Sequence, residues 1–215
     1  MRSDNEPDGQ KRRSVIEDVR RAQIIESAIE TFAEVGYSGT SLARIAERAG
    51  ISKGVISYHF AGKDELMEQL VDQVYREITG FVAPRVERES TAAGRLRARL
   101  RSVAEYVQGH RSQLLALAEV FNNLRDANDQ LRYGETFNEP IYQSQEAMLR
   151  AGQDSGELRD FDARVMAVTV QAAIDAMIAY WGAYPEHDIA AHAEQLADLF
   201  ENGIRAHHAG QETDR

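Results

Sequence analysis

The side chains that most often carry chemistry are thinly spread in this chain. It has no cysteine, which removes disulfides, thiolate metal sites, iron–sulfur ligation and a thiol nucleophile together. The six histidines are His59, His110, His187, His192, His207 and His208. None stands four residues from another, and neither H-E-x-x-H nor G-x-S-x-G occurs. His187, Asp188 and His192 could meet near a helix start, although such groupings are more commonly surface clusters. No glycine-rich phosphate loop is present. The expectation is therefore no catalytic residue, no metal and no cofactor, and a protein that is not an enzyme. One stretch stands apart, KGVISYHF at 53–60. On a short helix, Val55, Ile56 and Phe60 can pack inward, which leaves Lys53, Gly54, Ser57, Tyr58 and His59 on the open face. A cation, hydroxyls and an imidazole grouped this way suit phosphate oxygens and base edges of a duplex.

Short helices must hold that face in place. Leu42, Ile45, Ala46 and Ala49 form an inner stripe over 42–49, with Thr40 and Ser41 as caps. Gly50 permits a sharp turn, Ile51 returns to the core, and Ser52 caps the next helix, which runs to Phe60. Two short helices joined at a glycine, the second with the unusual surface, are what a helix-turn-helix requires. Before them a helical pattern from Val15 runs through Ile25, Ala28, Ile29 and Phe32 and stops at Gly36. After Gly62 a longer helix begins near Lys63, with Leu66, Leu70, Val74 and Ile78 on one face. Further helices are predicted over 93–108, 110–125, 137–153, 161–183 and 188–207. The chain reads as all-α, with roughly nine helices.

Length and charge agree with this division. The chain has 215 residues, 43% of them hydrophobic and 28% charged, ordinary for a folded globular protein. The net charge of −10 is a poor average for a nucleic-acid binder. Residues 11–63, however, hold nine basic groups against six acids, and residues 64–215 hold fifteen arginines against twenty-six acids. Such a split favours one end approaching a polyanion, though random scatter of solvated charges would also produce it. Residues 1–14 are polar, without an apolar run, so a flexible arm and a cytoplasmic protein without a secretory signal are expected. Lys11–Arg13 could enter a minor groove, but a solvated tail is the commoner outcome for so short a tract. Residues 165–184 have the length of a membrane span, yet Gln171 and Asp175 sit mid-segment and basic anchors are sparse. A helix buried among neighbours is the expectation there, and no membrane partner.

The segment TSLARIAERAGISKGVISYHFAGKDEL, 40–66, resembles the DNA-binding signature of the TetR family of bacterial transcriptional regulators. The matching residues are Thr40, Ile45-Ala46, Ala49-Gly50, Ser52-Lys53-Gly54, His59-Phe60 and Lys63-Asp64-Glu65-Leu66, preceded by Phe32 and Gly36-Tyr37. So many matches at fixed offsets form a long and specific motif. The resemblance implies a three-helix helix-turn-helix DNA-binding domain over 15–62, followed by a larger helical domain over 63–215 for effector binding and dimerisation. Groove chemistry then assigns roles. Lys53 reaches guanine or a phosphate, Ser57 bonds either base type, and Val55 touches a thymine methyl if it turns outward. Tyr58 and His59 hold phosphates, as do the helix starts at Ser52 and Lys63. Arg44 contacts base or backbone, and Thr40 and Ser41 cap first and donate to phosphate second. Ser57 stands where the family usually places a tyrosine that grips the DNA backbone. Either Tyr58 takes that role or the grip is weaker.

The rear half carries no transferable motif. Ile189, Ala193, Leu196, Ala197, Phe200 and Ile204 form one stripe on the last helix, and Ala172, Ala176, Ala179 and Ala183 keep the helix before it small-sided. These two helices could pair with a second copy as a four-helix bundle or serve as intrachain core, and the resemblance favours the homodimer. Polar or aromatic groups set in apolar helices are candidate effector contacts. They are Tyr106, Phe121, Asn122, Tyr142, Gln145, Gln171, Asp175, Met177 and Trp181. Gln171 and Asp175, four apart, could simply pair with each other. The implied function is a ligand-responsive regulator, most plausibly a repressor that binds a palindromic DNA operator as a dimer and is released by a small-molecule effector. The rivals are a small-molecule-binding helical protein without selective DNA binding, an activator of the same fold, and an α-helical enzyme.

Overall fold

The computed structural model describes residues 6–206, excepting the side chains of 6–15 and 135. It contains α1 (Glu6–Gly39), α2 (Leu42–Arg48), α3 (Lys53–His59), α4 (Lys63–Glu87), α5 (Ala92–Gly109), α6 (Arg111–Asn123), α7 (Glu139–Asp154), α8 (Ala163–Ala183) and α9 (Ile189–Ile204), with a 3₁₀ turn at Glu135–Asn138. Beside these helices the described residues show two isolated β-bridges, Arg125 with Leu131 and Leu158 with Arg205. The expected all-α class holds. α1 begins earlier than its apolar pattern, at Glu6, so residues 6–14 of the expected arm are helical. Pro7 is no obstacle, because a first-turn proline lacks only an N–H that would be unpaired anyway. Residues 1–5, and His207 and His208, lie outside the described residues.

Packing divides the chain into two compact units. The first comprises residues up to Tyr75 together with Ser112–Arg132, and the second comprises Arg76–Arg111 and the residues from Tyr133 onward. The division therefore falls inside α4, and α6 belongs to the first unit.

In the first unit, Ile24, Ala28 and Phe32 of α1, Ile45 of α2, Ile56 of α3, and Leu66, Met67, Leu70 and Val74 of α4 are buried. Ala116, Leu117 and Val120 of α6 are buried too. α1 loses helical geometry at Gly36 (φ 65°, ψ −176°), and the freed N–H of Tyr37 donates to Glu119 Oε2 of α6 at 2.6 Å. Tyr75 and Phe121 stack at 6.1 Å, and Arg132 pairs with Glu68 at 2.9 Å.

In the second unit, α5 packs on α9, α7 on α8, and α8 on α9, with α5 also meeting α7 and α8. The approach of α5 to α7 is close enough to demand glycine. A Cβ at Gly152 would lie 2.7 Å from Ala92 Cβ and 2.8 Å from Leu158 Cδ1. The start of α5 is held by the Thr91 cap and by Glu157, whose carboxylate accepts from the N–H groups of Ala92 and Ala93 at 2.8 and 2.9 Å. The 157–159 segment in turn pairs with the end of α9: Arg159 N donates to Ile204 O at 3.0 Å and Ala206 N to Glu157 O at 3.3 Å. Arg97 joins α5 to α9, with bonds of 2.6–2.8 Å to Glu194, Asp198 and Glu201.

The apolar pattern on α9 resolves one open alternative. Ile189, Ala193, Ala197 and Ile204 are buried within the chain, so most of that stripe is intrachain core and not a surface for a second copy. Leu199, off the stripe, is 68% exposed instead. On α8, Val165, Val168 and Tyr180 are 61%, 39% and 48% exposed, and Ala172, Ala176, Ala179 and Ala183 are exposed with them. Among the described residues α8 is long and apolar enough to cross a membrane by length and composition. Its inner face is nevertheless a protein interface, with Ala167, Val170, Ile174 and Met177 buried.

Candidate nucleic-acid interface

Two caps and a glycine turn fix the orientation of α3. Ser41 Oγ accepts from Arg44 N at 3.3 Å and starts α2. After Ala49, Gly50 takes φ +65°, the left-handed conformation that glycine adopts at little cost, and Ile51 N returns to Ala46 O at 3.0 Å. Ser52 Oγ then accepts from Val55 N at 3.4 Å. Ile56 and Phe60 are 0% and 1% exposed and anchor the helix from within. Arg21 of α1 holds its far end, donating to His59 O and lying 4.4 Å from the Phe60 ring centroid.

With that side fixed, Lys53, Gly54, Ser57 and Tyr58 face outward, and Val55 and His59 are half-buried. Lys53 has no ion pair or hydrogen bond among the described residues. Tyr58 is 74% exposed and packs edge-on to His59 at 5.0 Å, with a long 3.5 Å contact from its hydroxyl to Glu17. A Cβ at Gly54 would meet only Ser52 Oγ, at 3.6 Å. Among the described residues nothing requires glycine there. An exposed helix face that combines a free cation, hydroxyls and a bare backbone patch is suited to a phosphate-lined groove.

Four of the candidate DNA contacts are placed differently from Lys53. Thr40 is 4% exposed, because its hydroxyl donates to Gly36 O at 2.7 Å and continues the turn out of α1. It caps nothing, and Ser41 alone takes that role. Lys63 turns inward: its ammonium donates to Tyr37 O at 2.8 Å and sits 4.0 Å from the Tyr37 ring centroid. Burial lowers the Lys63 pKa, opposed by Asp64, and burial raises that of Tyr37. Arg44 is exposed but donates to Gly39 O at 2.9 Å. Ser52 is exposed, with its hydroxyl engaged in the cap.

Residues 24–70 match the profile of the family described as bacterial regulatory proteins, tetR family. This is a TetR-family domain. A curated relative, the HTH-type transcriptional regulator BetI of Burkholderia thailandensis, is 40% identical over 86 residues, which is 40% of this chain and 43% of that one. The chain thus spans less than half the length of the curated relatives it matches. Solved structures extend the likeness in fold beyond the TetR-type domain. The fatty acid degradation regulator FadR from Bacillus halodurans superposes with a TM-score of 0.73 at 18% identity, over 86% of this chain and 99% of that one. FadR from Bacillus subtilis, solved in complex with stearoyl-CoA, gives 0.72 at 23% identity, over 86% and 99%.

The candidate effector residues divide between the two units. Phe121 and Asn122 lie on α6 in the first unit, Asn122 exposed. In the second unit Gln145 donates to Gln171 Oε1 at 3.2 Å, and Gln171 to Asp175 Oδ1 at 2.9 Å, so the predicted pair is part of a chain of three. The surrounding protein raises the Asp175 carboxyl, partly offset by the Gln171 bond. Tyr106 is buried and stacks on His110 at 4.0 Å. Arg164 lies 5.1 Å from the Tyr142 ring centroid and Arg111 5.9 Å from that of Trp181. Met177 is fully buried. His187 and His192 meet at 3.0 Å, and the described residues contain no group of three side chains able to hold a metal.

Sequence reasoning missed Arg21, Glu119 and Arg99. The first two act through long-range contacts that no local pattern encodes, Arg21 with His59, Phe60 and Glu65 and Glu119 with Tyr37. Arg99 was findable, since it falls between Leu96, Leu100 and Val103 on a predicted helix, where a solvated arginine has no place.

Proposed function

We propose that this chain is a ligand-responsive DNA-binding transcriptional regulator that acts as a repressor. Residues 15–62 read the operator, and residues 63–215 bind the effector and pair the subunits. The observation that carries this reading is the outward face of α3, where among the described residues Lys53 has no partner and Gly54 meets no packing demand. Lys53 and Ser57 reach base edges, and Tyr58, with His59 behind it, takes the phosphate role open at Ser57. A homodimer through the exposed faces of α8 and α9 would set two α3 helices about one DNA turn, roughly 34 Å, apart on a near-palindromic site. The bare alanines of α8 favour close helix approach across a two-fold axis. The fold shared with a regulator solved in complex with stearoyl-CoA supports a small-molecule effector in the second unit.

A gel-shift titration against the DNA upstream of the chain's own gene tests the reading. A complex that survives non-specific competitor and is lost in Lys53→Ala is the expected result. Absence of any sequence-selective complex for the wild-type chain at moderate salt refutes it.

A further inference from the structure

The interior of the second unit holds polar groups that its own packing leaves unused. Among the described residues three buried side-chain atoms lack a hydrogen-bond partner: Arg99 Nε, Asn138 Oδ1 and Gln145 Oε1. All three belong to this unit. Arg99 lies on α5 one turn from Leu96 and Ser102 and two turns from Tyr106 and Ala92, every one of them buried. It therefore occupies the core-facing stripe, across the helix from Arg97 and Arg101. Those two show what a matched arginine looks like here, since Arg97 engages three carboxylates and Arg101 engages Glu194. No ion pair or hydrogen bond engages Arg99 among the described residues. Gln145 sits on the buried Gln145–Leu149–Gly152 stripe of α7, with Asn138 two turns before it.

A guanidinium does not shed its proton inside a protein, so the half-buried Arg99, with its Nε sealed from solvent, keeps a charge that favours an anion. Burial alone lowers the Arg99 pKa, with no carboxylate acting against it. An amide oxygen without a donor is also unfavourable in an apolar interior. α5, α7 and α8 pack pairwise, so the inward stripes bearing these groups belong to one set of helices, lined by Leu96, Leu100, Leu149 and Met177.

Resting on the reading of this unit as the effector domain, we propose that the effector is a small organic acid with an apolar body, its carboxylate held by Arg99. One unpaired cation matches one negative charge, and the planar guanidinium fork fits a carboxylate. The aliphatic neighbours suit the body of the molecule. Gln145 and Asn138 offer acceptor oxygens, which suit a hydroxyl or N–H elsewhere on the ligand and disfavour the carboxylate, so they would orient it.

The test is isothermal titration of the full chain with octanoate and phenylbutyrate, each beside its matching primary alcohol. We expect at least one acid to bind roughly tenfold or more tighter than its alcohol. Arg99→Met should abolish that preference and Arg99→Lys keep part of it. Without ligand, Arg99→Met should melt at or above the wild-type temperature, since it removes an unmatched, partly buried charge, with Arg99→Gln as the substitute should the methionine variant misfold. Equal binding of acids and alcohols, undiminished acid binding by Arg99→Met, or no binding of either acid to the wild type would overturn the proposal. A wild-type DNA complex dissociated by a neutral compound would overturn the acid and leave the regulator reading intact. Acid binding through Arg99 in a chain that never binds DNA would do the reverse.

Discussion

In the first unit the interior is largely aliphatic and aromatic, its buried threonines Thr31 and Thr40 bonded to backbone carbonyls four residues before them, and the polar groups of α3 stand outside, with Tyr58 74% exposed above a fully buried Ile56. The second unit inverts that arrangement. Its interior contains Ser102, Gln145 and Gln171, with the unmatched, half-buried Arg99 beside them, while the exposed face of α8 is mostly valine, alanine and tyrosine, interrupted by Thr169 and Asp175. The contrast separates three kinds of partner by their chemistry. A polar face outside a dry core fits a large charged surface, an unsatisfied polar interior fits a small molecule, and an apolar exterior of small residues fits another protein helix.

The contrast can be broken first at its driest point. Phe60→Ala should cost about 3–5 kcal/mol of stability by opening a cavity beneath α3. In urea denaturation it should unfold the first unit, and a loss under 1 kcal/mol would show that the core does not fix the face. Next comes the apolar exterior. Ala172→Arg would set like charges against each other across a two-fold axis, a penalty of several kcal/mol. Sedimentation should then show monomers where the wild type is dimeric, with operator affinity falling alongside; an unchanged dimer would place the interface elsewhere.

Smaller effects sharpen the outward face. Lys53→Ala should lose about 1–3 kcal/mol of discrimination at one base pair, read by competition between operator variants. Gly54→Ala should leave stability unchanged or raise it by up to about 1 kcal/mol, since alanine favours helix, while weakening operator binding through the added Cβ. Loss of stability without loss of binding would give Gly54 a structural role. Smallest is Lys63→Ala. With its ammonium against Tyr37, this change should cost about 1 kcal/mol of stability and leave the salt dependence of DNA binding unaltered. A salt slope flatter by about one unit would instead make Lys63 a phosphate contact.

Much of the first unit was legible in the sequence because its determinants are local. Ser41, Gly50 and Ser52 act within four residues of themselves, and the inward set Ile45, Ile56 and Phe60 follows helical spacing directly. Lys63 and Thr40 misled for different reasons: Lys63 is drawn inward by Tyr37, 26 residues away, while the Thr40 hydroxyl turns back to Gly36, four residues before it, instead of forward to the helix start. In the second unit, helix positions could be read from the pattern but the use of each face could not. The stripe of Ile189, Ala193, Ala197 and Ile204 has the same period whether it meets α5 and α8 or a second copy.

The paired segments 157–159 and 203–206 make the last turn of α9 a latch for the beginning of α5. Glu157 clamps Ala92 and Ala93 while its own carbonyl accepts from Ala206 N, and Arg159 reaches across to Gly203 O at 2.6 Å. A chain cut after residue 202 would keep nearly all of α9 yet lose the strap that fastens α5 at its opposite extremity. Shortened versions designed for crystallisation should accordingly retain residue 206, and proteolysis there should loosen a helix more than a hundred positions away.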